Sequence, residues 1–334
     1  MLAHLFLRGN APVSLLGLLP NVMPALVLDL VILLFAGVAV RIGVNVLRGR
    51  ALAYVRHVSR WTWWLESARL VLMGAFAMHI YTTLKIFLPF AGGENADERL
   101  WDIDYALLFG HSPTVLFLEL FGNPNVLRAI DWSYENVFRT TMFTAMGAAL
   151  SSPSQRLRVA LVGAKSAMWI TGAWLYYTFP SLGPAYRFSE LWDPISAYMP
   201  RTRELLDALF SNFLIVIGRR PGAVNMMLGI GAFPSLHVAL HTLVVLWGRR
   251  FSPGLGVMGL AAAIIIFVGS IVTGWHYLVD SLAGLVLGGV FYALFFAVYH
   301  LKHWLGLFRA VRRGRGERQL RWPIKMLERA FAVR

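Results

Sequence analysis

The stretch that decides the fold is residues 274–280, GWHYLVD, with the apolar run that it opens and that extends to about residue 300. His276 and Asp280 are four residues apart, so on a helix their side chains lie on one face within hydrogen-bonding reach. A carboxylate in such apolar sequence is costly unless it is paired, which makes both residues candidates for function. The carboxylate would accept one ring N–H and leave the other nitrogen free to attack, and a purely structural His–Asp pair is the alternative.

A second histidine stands at the start of another apolar run. Residues 231–237 read GAFPSLH, and the run continues to residue 248. Pro234 suits the first position of a helix because it has no N–H to satisfy there. A helix N-terminus attracts anions, so we expect an anion seat here, with Ser235 as a hydroxyl donor and His237 close enough to protonate a departing oxygen. A helix cap beside a packed histidine is the alternative.

Composition places this chain in a membrane. Of 334 residues, 57% are hydrophobic and 14% are charged, which is typical of a polytopic membrane protein. There is no cysteine, which excludes disulfides and thiolate metal sites. The formal net charge of +14 reflects basic loops on one side of the membrane, and no soluble basic domain exists that would bind nucleic acid.

The spacing of apolar runs predicts an all-α membrane bundle with six or seven spans, since a span needs about 20 residues. The runs are 24–45, 67–90, 137–152, 159–180, 235–248, 255–274 and 277–300, and the amphipathic segment 202–218 is a further partial span. Basic loops alternate with acidic or mixed ones, so the basic loops are expected to be cytoplasmic. That topology puts His237 and His276 at the non-cytoplasmic ends of their helices.

The two signatures resemble those of the type 2 phosphatidic acid phosphatase (PAP2) superfamily, over about residues 215–300. More narrowly, residues 231–237 look like the branch that contains fungal inositol phosphorylceramide synthase. The resemblance implies that His276 attacks phosphorus, that Asp280 orients it, and that His237 protonates the leaving oxygen. It also implies a phosphohistidine intermediate and no cofactor.

Arg219-Arg220-Pro221 resembles the end of the superfamily's first motif, and Arg220, then Arg219, is the expected phosphate ligand with Ser235. Two other cations of the motifs are missing, because Phe213 stands where the family has a lysine and Ser270 where phosphatases have an arginine. A site short of two cations favours a diester, which has less charge than a monoester. We therefore predict phosphotransfer from a phospholipid or polyprenyl-phosphate donor to an alcohol or polyol acceptor.

With this resemblance the chain divides into four parts. These are an N-terminal segment with the first span and a basic cytoplasmic loop (1–66), membrane helices with an outer-face cap at about 91–135 (67–200), a PAP2-like catalytic core (201–301) and a basic amphipathic cytoplasmic tail (302–334). The usage of Arg, Ala and Val suggests a bacterial inner membrane, with the site on its extracytoplasmic face.

Three other functions remain open at this point. The same site would be a lipid phosphatase for a polyprenyl or glycerolipid phosphate if water were the acceptor. A proton-coupled transporter would use His276 and Asp280 as a relay, although such relays lie nearer mid-membrane. A serine protease built on Ser235 would need an activating histidine on a neighbouring helix. A metal at His237 and His241, which have the spacing of a ligand pair, lacks a third ligand, so no metal is expected.

Overall fold

Helices supply all regular structure in the part of the chain that the computed structural model describes, residues 15–90, 94–217, 225 and 228–300. Within these residues there are twelve α-helices, three short 3₁₀ helices and no β-strand. The α-helices are α1 (Leu15–Leu47), α2 (Ala51–Val58), α3 (Trp61–Phe87), α4 (Asp97–Leu107), α5 (Pro113–Phe121), α6 (Pro124–Leu150), α7 (Gln155–Thr178), α8 (Pro184–Arg187), α9 (Pro200–Ile217), α10 (Leu236–Phe251), α11 (Pro253–Val272) and α12 (Leu278–Tyr299).

Four helices in the described residues are long and apolar enough to cross a membrane. They are α1 from residue 22 onward, α3, α11 and α12. The predicted runs 137–152, 159–180 and 235–248 fall largely in α6, α7 and α10, which do not meet the same criteria of length, hydropathy and charge; α10, with 16 residues, is too short. The predicted all-α membrane bundle is confirmed, and the count of six or seven spans stays a prediction.

The last three helices form a tight unit around the two histidine signatures. Helix α10 packs against both α11 and α12, while α7 joins α12 to α3 and α6 lies against α11. Gly284 and Gly288 allow α12 to approach the backbone of α10. A Cβ on Gly284 would lie 2.4 Å from the Ser235 carbonyl oxygen, and one on Gly288 would lie 2.5 Å from the Ala239 carbonyl oxygen. No larger residue fits there without separating the two helices. The starts of α10 and α12 are therefore held together.

The segment predicted as an outer-face cap is helical, with α4, α5 and the first turns of α6. Helix α4 packs against α12 and α8. The second connecting segment, 179–199, contains α8 and two 3₁₀ turns, and its Trp192 donates an indole hydrogen bond to the Val272 carbonyl oxygen at 2.8 Å. Both segments therefore cover the end of the bundle at which α11 leads into α12.

Several predictions from the sequence fall outside the described residues. Arg219 and Arg220 lie there, as do the tail from residue 302 and the lead-in before residue 15.

Candidate active site

The structure brings together the three residues predicted to be catalytic. His276 Nδ1 lies 3.6 Å from Asp280 Oδ2, and His276 Nε2 lies 3.4 Å from His237 Nδ1. The first distance is too long for a hydrogen bond, as is common for catalytic groups without substrate. Asp280 is fully buried and His276 nearly so. The Nδ1 atom of His276 thus faces the carboxylate, and its Nε2 atom faces the second histidine.

Local backbone geometry puts His276 in this position. Gly274 has a φ of 76°, a left-handed conformation that glycine adopts without strain, and it turns the chain after α11. The His276 backbone N–H donates to the Ser270 carbonyl oxygen at 3.0 Å. Asp280 Oδ2 then accepts from the Tyr277 N–H at 3.0 Å, closing the first turn of α12. The same carboxylate therefore caps the helix and faces the imidazole.

His237 begins the first turn of α10, where Ser235 is the N-cap. The Ser235 hydroxyl accepts from the Val238 N–H at 3.4 Å, and Ser235 N–H donates to the Asp280 carbonyl oxygen at 3.0 Å. The prediction that Pro234 occupies the first helical position is wrong, because the capping hydroxyl makes Leu236 the first helical residue. Ser235 keeps its own hydroxyl hydrogen for donation, which is what an anion would require.

Tyr134, on α6, is a contact of His237 that sequence reasoning missed. Its hydroxyl lies 3.1 Å from His237 Nδ1, and the tyrosine is 1% exposed. A phenol keeps its hydrogen at neutral pH, so it can donate to Nδ1 when the imidazole has its hydrogen on Nε2. The edge of the Phe138 ring completes the enclosure, with ring centroids 4.1 Å apart. No motif spacing links residue 134 to residue 237, so only the tertiary fold reveals the pair.

Two buried carboxylates of α4 hold the loop that presents His276. Asp104 Oδ2 and Oδ1 accept from the backbone N–H groups of Leu278 and Val279, both at 2.8 Å. Asp97 accepts from the Tyr277 hydroxyl at 3.0 Å and from two backbone N–H groups of the 181–183 segment, those of Leu182 and Gly183. The sequence places these aspartates only in an acidic segment, and their role depends on α4 folding back onto α12.

Burial shifts the titration of groups around the loop. Burial, and after it the positive charge of Lys85, lowers the pKa of His276 below its ordinary value, while a hydrogen bond that the ring donates to the Ala232 backbone acts in the opposite direction. The imidazole is therefore neutral at neutral pH, which is the form that can act as a nucleophile. Burial raises the pKa of Asp104 to about 6, and the charge of Asp280 adds to this, while the two backbone N–H groups act in the opposite direction.

Phe213 and Ser270, the two positions at which cations are missing, are both buried. Phe213 packs on Phe210 in the core, and the Ser270 hydroxyl donates to the Phe267 carbonyl oxygen at 2.8 Å. His241 is turned away from a shared ligand position, since its Nδ1 lies 2.8 Å from the His237 carbonyl oxygen. Across the described ranges, no three metal-ligating side chains come together.

The fold and the site define a helical membrane protein with two histidines and an aspartate at the starts of two packed helices. The chain belongs to the PAP2 superfamily, whose family model matches residues 98–294. That range runs from the second residue of α4 to the end of α11, covers most of α12 and includes all three of these residues. Members are phosphatases or phosphotransferases, so the chain is an enzyme of this general class. No curated protein and no solved structure matches it.

Proposed function

We propose that the chain is a membrane lipid phosphotransferase similar to inositol phosphorylceramide synthase, working through a phosphohistidine on His276. The observation that supports this most is the division of the His276 ring. Its Nδ1 faces Asp280, and its Nε2 faces His237. The nucleophile therefore lies in space between its orienting carboxylate and the acid.

In the first step, the lone pair of His276 Nε2 forms a bond to phosphorus, and the bond from phosphorus to the leaving oxygen breaks. His237 acts here as an imidazolium, a form that the negative charge of the incoming phosphate stabilises. It gives one proton to that oxygen and becomes neutral, so an alcohol departs rather than an alkoxide. Asp280 stabilises the positive charge that develops on the ring. Because the facing nitrogens are 3.4 Å apart without substrate, the phosphoryl group must separate the two rings as it enters.

In the second step, His237 takes a proton from the acceptor alcohol. The alcohol oxygen then bonds to phosphorus, and the bond between phosphorus and Nε2 breaks, which restores both histidines. With water as the acceptor, the same residues give the alternative function, a lipid phosphatase for a polyprenyl or glycerolipid phosphate. The protease reading of Ser235 loses support because its hydroxyl oxygen accepts the helix-cap bond and no histidine contacts it in the described structure.

The preference for transfer rests on charge. A phosphomonoester has a charge of about −1.5 to −2 near neutral pH and a diester about −1. Uncharged, buried Phe213 and Ser270 stand where phosphatases have two of their phosphate-binding cations. A phospholipid donor with a polyol acceptor therefore suits the site, with Arg220, Arg219 and Ser235 as further proposed phosphate ligands.

We further propose that the site opens on the extracytoplasmic face of a bacterial inner membrane. The alternation of basic and acidic loops supports this orientation. Donor and acceptor would then both reach the site from the outer leaflet or the outer solution.

The test compares two substrates with purified protein in one detergent. Phosphatidic acid and a phosphodiester lipid such as phosphatidylinositol are supplied with and without a polyol or ceramide acceptor, and kcat/KM is measured for each. We expect turnover of the diester with acceptor to exceed hydrolysis of phosphatidic acid. His276→Ala is the inactive variant, and His111→Ala, an exposed histidine on the cap, is the matched control.

Two results would change the proposal. Efficient hydrolysis of phosphatidic acid, with no competition between alcohols and water, supports the phosphatase alternative. Turnover of neither substrate by the wild type, with lipid mass spectra identical in membranes with and without the chain, contradicts the proposed function as a whole.

A further inference from the structure

Lys85 is a cation near the site that lies outside the matched family region. It belongs to the last turn of α3, and the family match begins at residue 98. Its side chain is half-buried, and within the described ranges it makes no ion pair with a carboxylate. A lysine that enters a bundle without an anionic partner leaves its charge available to a ligand.

The lysine packs against the segment that leads to His237. A Cβ on Gly229 would lie 2.9 Å from Lys85 Cγ, so the glycine makes room for the lysine stem. The ammonium lies 5.8 Å from the ring centroids of both Tyr81 and Tyr176. Tyr176 in turn lies against Gly231, three residues before Pro234. The lysine therefore lies between α7 and the segment 229–235 that leads into α10.

The charge also reaches the proposed reaction centre. After burial, Lys85 is the next cause that lowers the pKa of His276. Its field reaches His237 as well. The electrostatic effect agrees with the packing of the lysine stem against the segment that leads to His237.

We propose that the Lys85 ammonium binds the phosphoryl oxygens of the substrate while His276 attacks phosphorus. This inference rests on the proposed function and adds a residue to it. Lys85 would supply from α3 a cation that the positions of Phe213 and Ser270 lack. One ammonium neutralises about one charge, so Lys85 suits a phosphodiester of charge about −1 better than a monoester.

Orthovanadate, a phosphate analogue that accepts a fifth ligand, is the probe. Its Kd is measured in detergent from the rise in Tm of the full chain with vanadate concentration. We expect Lys85→Met to weaken vanadate binding about 10- to 100-fold, the effect of one charge-assisted hydrogen bond. Lys85→Arg should retain most of the affinity. Lys165→Met is the matched control, because Lys165 also lies over an aromatic ring, that of Trp169, at 5.0 Å.

The absence of cysteine allows the charge to be tested at constant length. Lys85→Cys provides the chain's single thiol. With 2-bromoethylamine, the thiolate displaces bromide and forms a thioether of lysine's length that ends in an ammonium. With 1-iodopropane, the thiolate displaces iodide and forms a neutral side chain of the same length. Only the aminoethyl product should recover vanadate affinity and turnover, with intact mass confirming both alkylations. This pair remains informative if Lys85→Met fails to fold.

The outcomes separate this inference from the one on which it rests. If His276→Ala abolishes turnover but Lys85→Met and both alkylated proteins bind vanadate like the wild type, Lys85 does not bind phosphate and the proposed function stands. Equal recovery by the neutral and charged thioethers also overturns the inference, since packing alone would explain it. A wild type that neither binds vanadate nor turns over either lipid overturns the proposed function and this inference together.

Discussion

Replacing Asp104 by asparagine should release the loop that presents His276. The carboxylate accepts two backbone N–H groups of α12 at 2.8 Å, and it is 1% exposed. The side-chain oxygen of an asparagine can accept one of these hydrogen bonds, but its NH2 group then faces the other backbone N–H and cannot accept from it. The variant therefore loses one charge-assisted hydrogen bond and leaves one buried N–H unsatisfied, a cost of about 1.5–3 kcal/mol. If this cost falls on the transition state, kcat/KM drops about 10- to 100-fold at pH 7.5.

The pH profile gives an independent readout. Because the pKa of Asp104 is raised to about 6, the wild type should lose activity as pH falls through 6, when the carboxylate gains a proton and its bonds to the loop weaken. Asp104→Asn should show a low, flat rate across the same range. Burial lowers the pKa of His276, so its ring stays neutral between pH 5 and 8 and does not cause this loss of activity at acid pH.

Stability should change in the opposite direction to activity. The folded protein binds a proton at Asp104 near pH 6, whereas the unfolded chain binds it only near the ordinary value of 3.8. The contribution of this group to stability is therefore complete below pH 3.8 and is lost as pH rises through 6. The Tm of the wild type minus that of Asp104→Asn should rise from pH 7 to pH 5 while activity falls.

The assay is turnover in detergent from pH 5 to 8, with Asp102→Asn as the matched control on the same helix. Asp102 lies two residues before Asp104, and its side chain is exposed. The reasoning is refuted if Asp104→Asn keeps wild-type kcat/KM and an acid limb near pH 6, or if Asp102→Asn reproduces its loss.

Three further predictions test the site and its surroundings. Tyr134→Phe removes the hydroxyl 3.1 Å from the upstream histidine and should lower kcat about 5- to 10-fold, with a smaller loss for a donor whose leaving alcohol is more acidic. Gly284→Ala should lower both Tm and activity because its Cβ would meet backbone 2.4 Å away, whereas Gly289→Ala, with open space around it, should change neither. Single cysteines at Glu94 and Arg201 should react with an impermeant reagent from outside intact cells, and protection of both until permeabilisation would reverse the topology.

The sequence was sufficient for the elements that local chemistry determines. His276 and Asp280 do meet, at 3.6 Å, but the expectation that they share one helix face is wrong, because α12 begins at Leu278 and His276 lies in the turn before it. Asp280 Oδ2 both accepts the cap bond from the Tyr277 N–H and faces the imidazole. The apolar runs predicted the long helices because their length and hydropathy are properties of contiguous residues. The start of α10 predicted at Pro234 was two residues too early, since the Ser235 hydroxyl caps the helix and Leu236 is its first residue.

What the sequence did not indicate depends on contacts between distant segments. Tyr134 is 103 residues from His237, and Asp104 is more than 170 residues from the N–H groups it accepts. Lys85 is one of two lysines in the apolar runs, and only the packing of its stem against Gly229 distinguishes it from the other. These residues share no motif spacing, because a folded bundle sets their distances.

The most direct test of the central claim is to trap the phosphoryl group on the protein. Purified chain is mixed briefly with a donor labelled with ³²P, quenched in base, and analysed by intact mass and peptide sequencing. The account predicts a base-stable, acid-labile adduct on His276, absent from His276→Ala and present in His111→Ala. An adduct that persists in His276→Ala, or that maps to His237, would contradict it.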